Sequence, residues 1–119
     1  MLFDNSYQNL PKDFYERIDP TPVNDPNLII YNKDLASYIE IDEAISELEL
    51  TEIFSGNILP KGSSPIALAY AGHQFGNFVN KLGDGRAILL GEICTSNNQR
   101  YDIQLKGSGQ TKFSRQGDG

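Results

Sequence analysis

The run Ala87-Ile88-Leu89-Leu90-Gly91-Glu92-Ile93-Cys94, the polar break Thr95-Ser96-Asn97-Asn98-Gln99, and the run Tyr101-Asp102-Ile103-Gln104-Leu105-Lys106 decide the fold. The first run is apolar and short, as a strand covered on both faces would be. The break is built from residues that favour turns. The second run alternates. Tyr101, Ile103 and Leu105 fall on one face, and Asp102, Gln104 and Lys106 on the other, the period of two that a half-buried strand requires. Two such runs joined by a short polar break predict an antiparallel hairpin. Lys106 then ends a strand on its polar face.

Moving outward, both flanks of this hairpin are rich in glycine and cations. Upstream stands Leu82-Gly83-Asp84-Gly85-Arg86. Two glycines let backbone N–H groups approach an anion, and Arg86 adds a planar charged fork suited to phosphate. The same residues also suit an ordinary turn entering a strand, and such turns are common. Downstream comes Lys106-Gly107-Ser108-Gly109, where Lys106 either holds phosphate oxygens or is a solvated lysine at a strand end. In Ser114-Arg115-Gln116-Gly117-Asp118-Gly119, Arg115 and Asp118 suit phosphate and ribose, or the segment is a loose tail. The spacing GxxxxGK[ST] of a Walker loop is absent, and Gly83-x-Gly85 lacks the third glycine of a dinucleotide fingerprint.

Further upstream the pattern is mixed. Ile66-Ala67-Leu68-Ala69-Tyr70-Ala71 fits either a helix or a strand, with Gly72 and Gly76 expected to break it. Asn32 is a helix cap for 33–40, with Leu35, Tyr38 and Ile39 on one face. Asp42 offers a second cap, to a helix with Ile45, Leu48, Ile53 and Phe54 as its apolar stripe and Gly56 as its stop. Leu28-Ile29-Ile30-Tyr31 reads as a short strand, and 13–18 as a short helix. Four of the six prolines, Pro11, Pro20, Pro22 and Pro26, lie in the first 27 residues and exclude a long helix there. The organisation expected is an N-terminal extension with short helices over 1–60 and a glycine-rich loop and hairpin region over 61–119.

Composition narrows the function classes. The 119 residues carry 16 Asp and Glu against 10 Lys and Arg, a net charge of −6. An acidic whole argues against non-specific nucleic-acid binding. Yet six of the ten cations, Lys81, Arg86, Arg100, Lys106, Lys112 and Arg115, lie from residue 81 onward, a local balance that suits a compact anion such as a nucleotide. The one histidine, His73, cannot build a histidine metal site and is read as structural, hydrogen-bonded near the glycine-rich turn. The one cysteine, Cys94, allows no internal disulfide, which fits a reducing compartment, and no apolar run is long enough to span a membrane. The cytoplasm is the expected location.

Five segments together resemble the SelO family in order and spacing. They are Phe3-Asp4-Asn5-Ser6-Tyr7, Tyr70-Ala71-Gly72-His73-Gln74-Phe75-Gly76, Leu82-Gly83-Asp84-Gly85-Arg86-Ala87, Gln104-Leu105-Lys106-Gly107-Ser108-Gly109 and Ser114-Arg115-Gln116-Gly117-Asp118-Gly119. The resemblance runs the length of the chain and covers only the beginning of the family's longer proteins. It implies an α+β fold, a partial protein-kinase-like small lobe with N-terminal helical decoration. It also implies ATP bound in an inverted orientation and AMP transferred to Ser, Thr or Tyr of protein substrates.

By the same resemblance Lys106 matches the nucleotide-binding lysine on the third strand of the small lobe. Gly83, Gly85 and Arg86 match a phosphate-side loop, and Asp118 and Gly119 a further nucleotide contact. The catalytic aspartate and the ligands of the implied Mg2+ lie beyond Gly119. No catalytic residue and no metal ligand is therefore assigned within this chain. Gln110 and Lys112 stand where the family usually has Arg and Pro, and Phe113 where Tyr is common, departures that bear on local loop shape. Cys94 does not match the family's redox-active cysteine. The expectation is the ATP-binding portion of a protein adenylyltransferase, incomplete and inactive as 119 residues alone. The alternatives from other classes are a non-catalytic remnant or interaction module with a kinase-like surface, and an ordinary phosphotransferase.

Overall fold

The computed structural model describes residues 1–116. Its centre is the hairpin of β4 (Ala87–Cys94) and β5 (Arg100–Lys106), paired antiparallel from Ala87 opposite Lys106 to Cys94 opposite Arg100. The alternation of β5 emerges as expected, with Leu105 buried and Asp102, Gln104 and Lys106 exposed. β4 is buried along nearly its whole length. Ile88, Leu90 and Ile93 are fully inaccessible, and each such side chain contributes roughly 1.5–3 kcal/mol of transfer free energy.

The ambiguous upstream segment is strand. β2 (Ile66–Gln74) runs antiparallel to both a three-residue β1 (Tyr15–Arg17) and β4, giving the order β1-β2-β4-β5. Gly72 does not break it. The outer half of β2 leaves the main sheet and pairs with β3 (Asn77–Gly83), its register shifting between Tyr70 and Gly72. Phe75 and Gly76 close this hairpin with positive φ of 53° and 80°, the backbone of a tight two-residue hairpin turn. His73 lies opposite Phe78 and meets its ring edge-on at 5.5 Å, so it is exposed and in ring contact rather than a hydrogen-bonded turn residue. β5 is thus the fifth strand of this chain.

The N-terminal half differs from expectation in several places. Residues 13–18 do not form a helix. A 3-10 turn at Lys12–Phe14 gives way to β1, because pairing with β2 satisfies the backbone better than a proline-bounded helix. Leu28 to Tyr31 is not a strand, and Ile29 and Ile30 are 90% and 84% exposed. α1 (Lys33–Tyr38) does start at the Asn32 cap, whose side chain accepts from the Leu35 N–H at 2.9 Å. Of the expected face Ile39 is buried, while Leu35 and Tyr38 are exposed and Ala36 turns inward in their place. α2 (Glu47–Ser55) is capped by Ser46, not Asp42, which instead caps a turn through the Ala44 N–H. Gly56 ends it in the left-handed conformation at φ 86°. Leu48 faces solvent, and Leu50 and Ile53 face inward.

One core crosses the two halves of the sequence. Ala36, Ile39, Ile41 and Leu50 from the helical part gather on Ile93 of β4, with Tyr101 and Ile103 of β5 at the margin. The first residues complete the cover. Phe3 forms a bridge to Ile93, the Asp4 N–H donates to the Glu92 carbonyl at 2.8 Å, and the Cys94 N–H donates to the Leu2 carbonyl at 3.0 Å. Among the described residues no helix is long and apolar enough to cross a membrane. Because Ile93 touches both halves, Ile93→Ala is expected to cost about 2–5 kcal/mol. Leu48→Ala, at an exposed site, should stay within about 0.5 kcal/mol. Denaturant midpoints of the two variants check this.

Candidate functional site

The turn between β3 and β4 is Gly83-Asp84-Gly85-Arg86, and it is anchored on three sides. Asp84 binds back to β2: its N–H donates to the Leu68 carbonyl at 2.8 Å, and its carboxylate accepts from the Leu68 N–H at 3.3 Å. Burial pushes the Asp84 carboxyl up from the ordinary aspartate range, and the Leu68 N–H partly offsets this. On the hairpin side, the Arg86 carbonyl accepts from the Gly107 N–H at 2.8 Å, beside the Ala87–Lys106 pair. The hairpin therefore sets the start of β4 next to the end of β5. Arg86 and Lys106, both exposed, stand at the same end of the sheet.

The third side is the loop that follows β5. Thr111, buried, donates its hydroxyl to the Asp84 carbonyl at 2.6 Å, and the Ser114 hydroxyl donates to the Gly85 carbonyl at 2.6 Å. Phe113 lies across the glycines. A Cβ at Gly83 would fall 2.2 Å from its ring, and one at Gly85 would fall 2.9 Å from its backbone oxygen. These two positions are glycine because another segment occupies the space a side chain would need. The same loop is tied to the N-terminal part, where the Lys112 N–H donates to Glu16 at 2.9 Å and the Thr21 N–H to the Ser108 carbonyl at 2.7 Å.

Beside the turn opens a cleft of about 550 Å³ floored by Phe113 and Gly83. Among the described residues its lining carries Lys81, Lys112 and Arg115 and no carboxylate, in a chain whose net charge is −6. Arg115 also hydrogen-bonds Gln74 and lies 5.7 Å from the Phe75 ring centre, bridging the loop to the hairpin tip. A second hollow, of about 480 Å³, is lined by Leu28, Tyr31, Ala36, Ile41 and Leu50 and by the charged Lys33, Asp42, Glu43 and Glu47. Its three carboxylates outweigh its one lysine and disfavour phosphate, and neither hollow is lined by Arg86 or Lys106, so the candidate site is the exposed sheet end where these two cations stand beside the glycine turn.

Of the residues picked out from sequence, Gly83, Gly85, Arg86 and Lys106 are brought to one end of the sheet. Asp118 and Gly119 lie outside the described residues. Thr111, Phe113 and Ser114 were not singled out for chemistry. Their only sequence signal is a pair of hydroxyl residues three apart just after a glycine-rich run, a pattern shared by many loops. Among the described residues no three His, Cys, Asp or Glu side chains gather as metal ligands.

A five-stranded antiparallel sheet with a few short helices, carrying a glycine turn and a lysine at one sheet end, is the architecture of a partial kinase-like small lobe. The family model of protein adenylyltransferase SelO matches residues 1–119, and the chain belongs to that family. It is 60% identical over 119 residues to the protein nucleotidyltransferase YdiU of Maridesulfovibrio salexigens, covering 100% of this chain and 24% of that protein. It is 60% identical over 118 residues to the Pelagibacter ubique protein of the same name, covering 98% and 24%. The Rhizobium meliloti protein of that name is 57% identical over 117 residues, again 98% and 24%. The chain thus spans about a quarter of the length of the curated relatives it matches.

Two outcomes follow from the geometry. Gly83→Ala should destabilise the fold, and Phe113→Ala in the same chain should recover part of the loss; a double-mutant cycle on unfolding free energy reads this coupling. For Asp84, a folded pKa above the unfolded one means that the charged form is disfavoured by folding. The cost is absent below the unfolded value and grows as pH rises through the folded one. Asp84→Asn keeps an acceptor for the Leu68 N–H. Its melting temperature relative to wild type should therefore be higher at neutral pH than at acid pH.

Proposed function

We propose that this chain is the ATP-binding portion of a protein adenylyltransferase that transfers AMP from ATP to Ser, Thr or Tyr hydroxyls of target proteins. The observation that carries the reading is the pairing of Ala87 with Lys106, which sets two exposed cations, Arg86 and Lys106, at the end of the sheet where the glycine turn lies. Family membership supplies the direction of the chemistry. In AMP transfer the acceptor oxygen bonds the α-phosphorus and pyrophosphate leaves. Arg86 and Lys106 would hold phosphate oxygens, Gly83 and Gly85 would present backbone N–H groups, and Asp118 and Gly119 would add a further contact to the nucleotide.

Residues 1–60 brace the sheet, and residues 61–119 carry the site. Among residues 1–116 no three His, Cys, Asp or Glu side chains gather to hold the Mg2+ that the family implies. Cys94 without a disulfide partner supports a reducing compartment, hence the cytoplasm.

A charge-assisted contact is worth roughly 1.5–3 kcal/mol. Lys106→Ala in the full-length protein should therefore weaken ATP binding about tenfold or more, while Lys112→Ala should change it little. Titration calorimetry reads both. ATP labelled on the α-phosphate should label target protein, and ATP labelled on the γ-phosphate should not; the reverse result would make the protein a phosphotransferase, and no transfer of either label would favour a non-catalytic module. The 119 residues alone are expected to transfer neither label.

A further inference from the structure

We propose that residues 111–114 form a clasp that sets the Gly83-Asp84-Gly85 turn for phosphate binding, with Thr111 and Ser114 as its positioning residues. The inference rests on the nucleotide reading above and extends it to residues that reading does not use. Two hydroxyls of one short loop donate to two successive carbonyls of the turn, Thr111 to Asp84 and Ser114 to Gly85, each at 2.6 Å. Among the described residues no peptide is cis, and in a planar trans peptide the C=O and the N–H point in opposite directions. Holding the Asp84 carbonyl toward the clasp therefore directs the Gly85 N–H away from it. Holding the Gly85 carbonyl does the same for the Arg86 N–H. Two consecutive amides are thereby aimed to one side, the arrangement that receives an anion.

The clasp is itself fixed rather than loose. The Thr111 N–H donates to the Ser114 hydroxyl at 2.9 Å, the Ser114 N–H to the Thr111 carbonyl at 3.0 Å, and the Phe113 N–H to the Thr111 hydroxyl at 3.1 Å. Each hydroxyl is thus oriented from within the loop before it reaches the turn. Phe113 packs over both glycines and closes the face from which the carbonyls are held. The turn's other anchors, the pair of bonds between Asp84 and Leu68 and the bond from the Gly107 N–H to the Arg86 carbonyl, fix where the turn sits but not the peptide plane that follows Asp84. That plane is set by Thr111, and the next by Ser114.

The test compares ATP with adenosine, by calorimetry on the full-length protein, for wild type, Thr111→Val, Thr111→Ser, Ser114→Ala and Lys106→Ala, with melting temperatures alongside. Each lost hydroxyl should weaken ATP about three- to tenfold and leave adenosine affinity unchanged, while Thr111→Ser, which retains the donor, should bind ATP as wild type does. Equal losses for ATP and adenosine, tracking a fall in melting temperature, would make the clasp merely structural and overturn the proposal. Wild-type ATP affinity in Thr111→Val and Ser114→Ala, with Lys106→Ala still weakened, would overturn the clasp and leave the nucleotide site standing. Wild-type affinity in Lys106→Ala as well would remove the nucleotide reading and the clasp with it.

Discussion

A buried carboxylate organises one side of the molecule. Glu92 lies in the middle of β4 and is 5% exposed. A charge so placed is costly unless it is fully partnered. The Ser6 hydroxyl lies within 2.7 and 2.9 Å of its two oxygens, the Tyr7 N–H donates at 3.2 Å, and the Arg100 guanidinium at 3.2 Å. Arg100 in turn pairs with Asp4. The first residues of the chain are therefore drawn across β4, the bridge from Phe3 to Ile93 closes, and the helical part packs behind it. Nearby, Asp102 has its carboxyl pushed up by burial and then by the charge of Glu92, and Tyr7 has its hydroxyl pushed up mainly by Asp102.

This brace has a counterpart at the other end of the hairpin. There the ends of β4 and β5 are exposed, and the chain spends glycines and hydroxyls in place of apolar side chains. The sheet is firm where Ile88, Leu90 and Ile93 are buried and open where Arg86 and Lys106 stand. A rigid support under a polar edge suits a binding site, because Lys106 then takes its position from strand register and Arg86 from a turn tied to that register through Gly107.

The β4–β5 hairpin was legible because two local signals agreed, continuous apolar residues in β4 and strict alternation in β5. The placement of Lys106 on a polar face followed from the alternation alone. The Asn32 cap and the Gly56 stop were legible for the same local reason. What failed was everything decided at long range. Leu28 to Tyr31 has strand-forming composition but gains no partner strand, so Ile29 and Ile30 stay in solvent. β1 was hidden because it exists only by pairing with β2. The face of α1 was legible only at Ile39, because the surface it meets, Ile93, lies far along the chain. At the site, spacing marked Gly83 and Gly85 as glycines for a ligand. The structure adds Phe113 as the neighbour that requires them, and a contact across the sheet leaves no period in the sequence.

The Glu92 brace also bears on how the chain assembles in time. Ser6 and Glu92 are 86 positions apart in the sequence. At about 5–20 residues per second of synthesis, the opening segment waits on the order of five to twenty seconds before its anchor has been made. During that interval Phe3 lacks Ile93 and Asp4 lacks Arg100, the partners they meet in the fold. The hairpin, being local, closes in about 1–10 microseconds once both strands exist. Residues 3–7 thus find their place only after β4 exists, and what they dock onto is a strand pair already formed.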